Sequence, residues 1–382
     1  MPESAIIHSY SKPPRINTME MLLIFLIPAV VAGLFAKYFL HETYTWQEFG
    51  CSVAITGLIV SAVYFGGLYR TMMDTEILNG VISSKERIHD SYIRSYSCGT
   101  PKVPRTCNET RYTVTWVANT TVGQVEFDTK DSGSRSVYNS ADPQAYVAAY
   151  VGEPASLPHT YTNYVKAVPT SLFNSAGYVS MYGEKIPNYP RVHSFYKVNR
   201  VFNIDSTVPQ EVLDELDRLL DNKLITLGHT KQANIIAIFT DIKDPNYRYA
   251  VENAWIGGKK NDIVLFFGTE GNNIVWTDVM TWALNSGNEL LVAELKRQLL
   301  AIGTVNTEAI VSTTERLVDA LYVRPKMEDY EYLKNDIKPS PNLLIVCWVL
   351  NILSIMVLTW WFHAKVQIGS TVIPRRYYHS RY

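Results

Sequence analysis

The stretch AWIGGKKNDIVLFFG, Ala254 to Gly268, sets two glycines and two lysines ahead of an apolar run, and its reading decides the fold. A phosphate cradle of the Walker type needs a strand, then G-x-x-x-x-G-K with Ser or Thr, then a helix whose first N–H groups face the phosphates. The order here is the reverse. Asp244-Pro245 opens a helix whose inward positions Tyr247, Ala250, Val251 and Ala254 follow the i, i+3, i+4, i+7 rule and which closes at Trp255. Lys260 is followed by Asn261, and Asp262 then leads a strand. The nucleotide reading therefore fails on order and on spacing. Gly257 and Gly258 are the helix stop, supplying positive φ where the chain turns back, and Lys259 and Lys260 sit near a helix C-terminus, where cations are favoured.

Working outward, NIIAIFT (234–240) and DIVLFFG (262–268) are short, almost uninterrupted apolar runs, as expected for strands buried on both faces. A strand, a crossover helix and a strand imply a parallel pair with helices covering the sheet. NIVWTDVM, from 273, follows after a plain turn as a third strand. In STVPQEVLDELDRLL, Thr207 is the expected N-cap with Gln210 three residues on, and Val212, Leu213, Leu216, Leu219 and Leu220 mark one helical face. Leu291, Leu295 and Leu299 mark another helix over Asn288–Leu300, and a last one is expected over about Thr307–Leu321. The expected order is α-β-α-β-β-α-α.

The segment from about Thr207 to Leu321 resembles the TPM domain family. The resemblance rests on QANIIAIFTD, on YAVENAWIGGKKNDIVLFFG, where a helix closes in Trp-x-x-Gly before an Asp- or Asn-led apolar strand, and on the helix after the third strand. It covers roughly a third of the chain. It implies a small mixed sheet covered by helices, membrane anchoring, and a domain facing away from the cytoplasm. The family has been linked to photosystem repair, to receptor accessory roles, and to weak phosphatase or calcium-binding activity. Ile263 stands where the family often has Gly after the leading Asn or Asp, which puts any carried-over metal or phosphatase site in question. The whole chain, including NGVISSK (79–85) and YTNYVKAVPTSLF (161–173), also resembles uncharacterised membrane proteins of large tailed phages.

Three further runs concern the membrane. Met21–Leu40 is apolar except for Lys37, while Gly50–Tyr69 and Leu343–Phe362 carry no charge. Each is about the length a helix needs to cross roughly 30 Å of hydrocarbon, and the last run ends in an aromatic pair suited to an interfacial belt. A cleaved signal is the alternative for the first run. It is disfavoured by length, by the lack of a small-x-small site after Leu40, and by the second run close behind. The chain then divides into a tail (1–20), a transmembrane hairpin (21–69), a β-rich, loop-rich module (70–200), an α/β domain (201–325), a linker (326–342), a third span (343–362) and a basic tail (363–382).

In the β-rich module, RYTVTWVAN (111–119) alternates as a strand should and VGQVEFDT (122–129) continues it after a turn. Cys98 and Cys107 flank GTPKVPRT and would close a small disulfide in an oxidising compartment or remain two thiols in a reducing one; without a His in register they do not suggest zinc. The charge balance, 35 Lys and Arg against 36 Asp and Glu, gives no reason to expect nucleic acid.

Carboxylates recur at strand ends: Asp241, Asp244, Asp262 and Glu270. Several oxygens converging there would suit Ca or Mg; turn, cap and solvated roles are the plainer reading of the same residues. No H-E-x-x-H and no G-x-S-x-G is present, so an enzyme is not indicated. Topology is divided: Lys365, Arg375, Arg376 and Arg381 favour a cytoplasmic C-terminus and external domains, whereas Lys12, Arg15 and Arg70 argue the opposite. The reading is an oligomeric scaffold or interaction protein of the cell envelope, anchored in membrane lipid, with its domains extracytoplasmic or, as the alternative, cytoplasmic. A weak metal-dependent phosphatase is the rival function.

Overall fold

A computed structural model describes residues 18–40, 44–100, 102–168, 181–282 and 287–370. The terminal tails that carry Lys12, Arg15, Arg375, Arg376 and Arg381, and the side chain of Lys365, lie outside the described residues. In chain order the elements are α1 (Thr18–Phe39), α2 (Trp46–Met72), β1 (Met73–Ser97), β2 (Thr106–Thr120), β3 (Gly123–Ser132), β4 (Pro154–Thr162), β5 (Val201–Ile204), α3 (Gln210–Thr230), β6 (Asn234–Thr240), α4 (Tyr247–Ala254), β7 (Asp262–Glu270), β8 (Asn273–Thr281), α5 (Glu289–Ile302), α6 (Thr307–Leu321) and α7 (Pro341–Ser370). Short helical turns lie at Arg135–Asn139, Gln144–Ala148, Tyr164–Ala167, Gly183–Lys185 and Met327–Asp336. The chain is mixed α/β with two sheets, and it forms two compact units: α1, α2 and α7 in one, Met73–Asn335 in the other.

Two helices of the first unit, Trp46–Met72 and Pro341–Ala364, are long and apolar enough to cross a membrane. α1 packs against both as a third helix, with Pro28 inside it. The seam between α2 and α7 is read from a four-residue step, which puts successive side chains on one helical face. Ser52, Thr56, Val60 and Tyr64 are buried on α2, and Cys347, Asn351, Ile355 and Thr359 on α7. Across it the Ser354 hydroxyl donates to Thr56 Oγ1 at 3.2 Å.

In the second unit, β5, β6 and β7 run parallel and β8 closes one edge antiparallel to β7. Both faces are covered. Leucines 213, 216, 220, 224 and 227 of α3, with α5 and α6, bury one face against Ile235, Ala237, Phe239 and Leu265. Tyr247 and Val251 of α4, with Trp255, Tyr182, Ile186 and Tyr189, bury the other against Ile238, Val264 and Phe266. This is why both central strands are apolar throughout.

Three sequence expectations change. α3 starts at Gln210 after Pro209, so Thr207 precedes the helix instead of capping it; Ser206 Oγ accepts from Val208 N in that turn. Ala254 is exposed, because the chain leaves the helix there for the Trp255 turn. β5 was not anticipated: four residues are too short to show a period.

The other sheet has the order β3-β2-β1-β4, all antiparallel. The 25 residues of β1 first pair with β4 through Met73–Val81 and then, past an irregularity near Ile82, with β2 through to Ser97. Cys98 and Cys107 are joined as a disulfide across the tip of the β1–β2 hairpin, with Cα atoms 5.8 Å apart. The sequence reading separates 70–200 from 201–325, whereas both sheets belong to the single compact unit Met73–Asn335. Gly228 of α3 shows how closely they meet: a Cβ there would stand 2.2 Å from the Asn79 carbonyl oxygen of β1.

Candidate functional site

The two sheets meet through charges. On β1, Asp74, Glu76 and Asn79 are buried in the half that pairs with β4. A buried carboxylate is costly unless opposite charge and hydrogen bonds replace its water. The Gly257–Gly258 turn supplies these: with φ of 77° and 76° the backbone reverses, and Lys259 and Lys260 point back into β1. Lys259 Nζ lies 2.5 Å from Asp74 Oδ1, with Lys166 Nζ at 3.0 Å from the same oxygen. Asn163 Nδ2 and the Tyr161 hydroxyl donate to Asp74 Oδ2 at 3.0 and 3.3 Å. Burial alone would raise the Asp74 pKa, but Lys259, Lys166 and Asn163 outweigh it and hold the carboxyl below its usual range.

Glu76 is fully enclosed. Its Oε1 accepts from Arg324 at 2.7 Å, faces His159 Nδ1 at 3.0 Å and lies 3.6 Å from Lys260 Nζ, while Oε2 is buried with no partner. Lys260 also sits over the Tyr161 ring at 4.4 Å, and burial pulls its pKa down.

Asp262 completes the cluster from the head of β7. Its oxygens accept from Asn234 Nδ2 (2.8 Å), the Tyr189 hydroxyl (3.1 Å) and the Lys259 amide (2.7 Å). Burial dominates and pushes its pKa up to about 6 despite these donors.

A second constellation adjoins it. Arg200, just before β5 and 1% exposed, donates from Nε to Asp221 at 2.6 Å, from Nη1 to Asn234 Oδ1 at 2.5 Å, and from Nη2 to Asn79 Oδ1 and Ser156 Oγ, both at 2.6 Å. One side chain thus pins β1 and β4 to the head of β6 and to α3.

Two kinds of cleft border the ionic cluster. One of about 720 Å³ is lined by Ile77, Pro187, Tyr189, Trp255, Ile256 and Lys259. Two smaller ones, about 360 and 280 Å³, share Lys260, Met327 and Glu328. Trp255 forms part of the large cleft wall, its Nε1 donating to the Pro187 carbonyl at 2.8 Å.

The strand-end carboxylates are not brought together, which corrects the expected cation site at Asp241, Asp244, Asp262 and Glu270. Asp262 and Glu270 terminate opposite ends of the nine-residue β7, roughly 26 Å apart at the rise of a strand. Glu270 pairs with Lys243 at 2.7 Å, Asp241 lies 3.8 Å from Lys185, and Asp244 accepts from the Tyr182 hydroxyl at 2.9 Å and from the Asn246 amide at 3.0 Å. Among the described residues no group of three or more His, Cys, Asp or Glu is placed to hold a metal ion.

Asp74, Glu76, Asn79, Arg200 and Arg324 were not anticipated. The available signal was MDTEILNG, where Asp74 and Glu76 stand two residues apart and so share one face of a strand whose charges have to face something. Their partners are far away in sequence, Lys259 by 185 residues, so spacing could not find them. Chemically the cluster is a lock: it opposes Asp74, Glu76 and Asp262 to Lys166, Lys259, Lys260 and Arg324 and directs each carboxylate to protein donors. Comparison of the chain with protein-family models, curated proteins and solved structures finds no match.

The raised pKa of Asp262 has a testable sign. The native state holds this proton more tightly than the unfolded chain, so the contribution is present below about pH 4 and is lost as pH rises through about 6. Raising the carboxyl from its ordinary 3.8 to about 6 is worth about 3 kcal/mol. Urea unfolding of the wild type and of Asp262→Asn should give stabilities whose difference shifts against the wild type by that order between pH 4 and 8. A difference that stays flat would remove the buried-acid account.

Proposed function

We propose that the chain is a membrane-anchored interaction or scaffold protein that presents a TPM-like α/β module, residues 201–325, together with its partner sheet. The observation that carries this reading is the pair of helices Trp46–Met72 and Pro341–Ala364 on either side, in sequence, of the compact unit Met73–Asn335. Outward side chains such as Ile345, Val349, Ile352, Met356 and Trp360 are apolar and exposed, as lipid contact requires.

Support for the TPM-like part is the passage from β6 through α4 and the Trp255–Gly258 turn into the parallel strand β7. The Cys98–Cys107 disulfide favours an oxidising, extracytoplasmic side. A phage origin remains a proposal from the sequence resemblance, and a homo-oligomer is the assembly this reading expects.

Alkaline carbonate extraction of membranes from expressing cells tests the anchoring: the chain should stay in the pellet. Release into the supernatant would overturn the reading. In intact cells, a membrane-impermeant maleimide should label Cys98 and Cys107 only after reduction, and labelling that needs an opened membrane would place the domain in the cytoplasm.

A further inference from the structure

Past Ile82, β1 is paired on one side only. β4 leaves it at Pro154, opposite Val81, and along 83–97 no third strand occupies its outer edge among the described residues. Every residue from Glu86 to Ser97 is exposed. Apart from the Asp90 carbonyl, which accepts from the Tyr138 hydroxyl at 2.8 Å, such an edge offers backbone donors and acceptors to a second strand. Glu86, Arg87, Asp90 and Arg94 on it are the kind of charges that blunt edge pairing, unless a partner matches them.

The matching partner is the same sequence. A second copy added antiparallel through a twofold axis keeps each side chain on its own face. With the axis at Tyr92, Asp90 falls opposite Arg94 twice and Ile88 opposite Tyr96 twice, all on one face of the ribbon. With the axis at Asp90, Glu86 meets Arg94, but Asp90 then faces Asp90. At Arg94 two arginines face each other. At Ser91 and Ile93 an apolar or aromatic residue opposes Arg94. Only the Tyr92 register pairs unlike charges without opposing like ones, and directly opposed unlike charges and apolar–aromatic pairs are what stabilise neighbouring strands. Arg94 makes no ion pair or hydrogen bond among the described residues, its one electrostatic partner being the Asp131 carboxylate: its hairpin neighbour Glu109 is taken by Arg111 at 3.3 Å, and Asp90 accepts from the adjacent Ser91 amide. Ile88 and Tyr96, 41% and 45% exposed, would be covered.

We infer that the outer edge of β1 docks a second copy of this chain, antiparallel about Tyr92, extending two four-stranded sheets into one; this deepens the scaffold reading and rests on it.

The test uses the full chain in detergent with Cys51→Ser and Cys347→Ser as background. Across a twofold at Tyr92 the two Cα atoms would stand about 4.5–5.5 Å apart, within disulfide reach. Under copper-phenanthroline oxidation Tyr92→Cys should therefore give a covalent dimer in yield on the order of tenfold above Ile88→Cys, which the register keeps far from its own copy. Adding Asp90→Arg should lower the Tyr92→Cys yield on the order of tenfold by opposing like charges, and adding Arg94→Asp as well should restore it. No cross-link, equal yields at 88 and 92, or no rescue by the charge swap would overturn the proposal. A dimer by light scattering without the Tyr92→Cys link would assign association to another surface, overturning this edge while leaving anchoring to the extraction experiment.

Discussion

Replacing Arg200 with alanine is expected to destabilise the two-sheet unit by about 3–5 kcal/mol, the range for removing one partner from a buried ionic network. The size follows from what would be left behind. Asn79 Oδ1, Ser156 Oγ and Asn234 Oδ1 would each lose a charged donor within 2.6 Å, at positions between 0% and 5% exposed, where water cannot readily replace it. Asp221 would lose its guanidinium while standing near Asp217, whose pKa burial already raises and whose carboxylate accepts from the amides of Arg200 and Val201. Arg200→Lys should recover only part, because one ammonium cannot donate along the three directions the guanidinium covers. Amide hydrogen exchange is the direct readout: protection of β1 over Met73–Val81 and of α3 should fall by roughly two to four orders of magnitude, the equivalent of that free energy. Unchanged protection in both elements would mean that apolar packing alone holds the sheets together.

Arg200 also marks where sequence reasoning ran out. The helices α5 and α6 are legible because each presents a stripe of buried leucine, isoleucine or valine, such as Leu291, Leu295 and Leu299, and its start sits at an Asn. β6 and β7 are legible because strands covered on both faces are apolar at successive positions. β1 is not, for two opposite reasons along one strand. Its first half buries Asp74 and Glu76, which look like solvent residues until Lys259 and Arg324 arrive from far along the chain. From Glu86 to Ser97 every residue is exposed, so no inside–outside alternation is written into it. The lysines of the opening stretch show the same limit: they read as helix-terminal cations, and their position after two glycines is local, but their carboxylate partners on another sheet could not be inferred from spacing. The strand-end acids mislead in the other direction, because Asp262 and Glu270 bracket one strand and adjacency in sequence is distance in space.

Asp74→Ala is the substitution that tests the lock formed by that stretch. Asp74 is 3% exposed and receives Lys259, Lys166, Asn163 and Tyr161, so its removal strands the Lys259 ammonium, itself 16% exposed, beside the Tyr189 ring. An uncompensated buried cation costs about 3–5 kcal/mol. Lys259→Met alone strands Asp74 less completely, since Lys166 remains at 3.0 Å. The pair Asp74→Ala with Lys259→Met should then be less destabilised than the sum of the two singles, by about 0.5–3 kcal/mol, the usual coupling of contacting residues. The pH dependence separates this account from simple loss of packing. Asp74 has a lowered native pKa, so its contribution is present above the unfolded value near 4 and is lost as pH falls through the lower native one, opposite in sign to Asp262. Stability measured by urea unfolding should therefore differ most between the wild type and Asp74→Ala at neutral pH and converge toward acid. Additive single substitutions, with a gap that does not narrow in acid, would mean that the Gly257–Gly258 turn positions its lysines without contributing charge pairing to the junction.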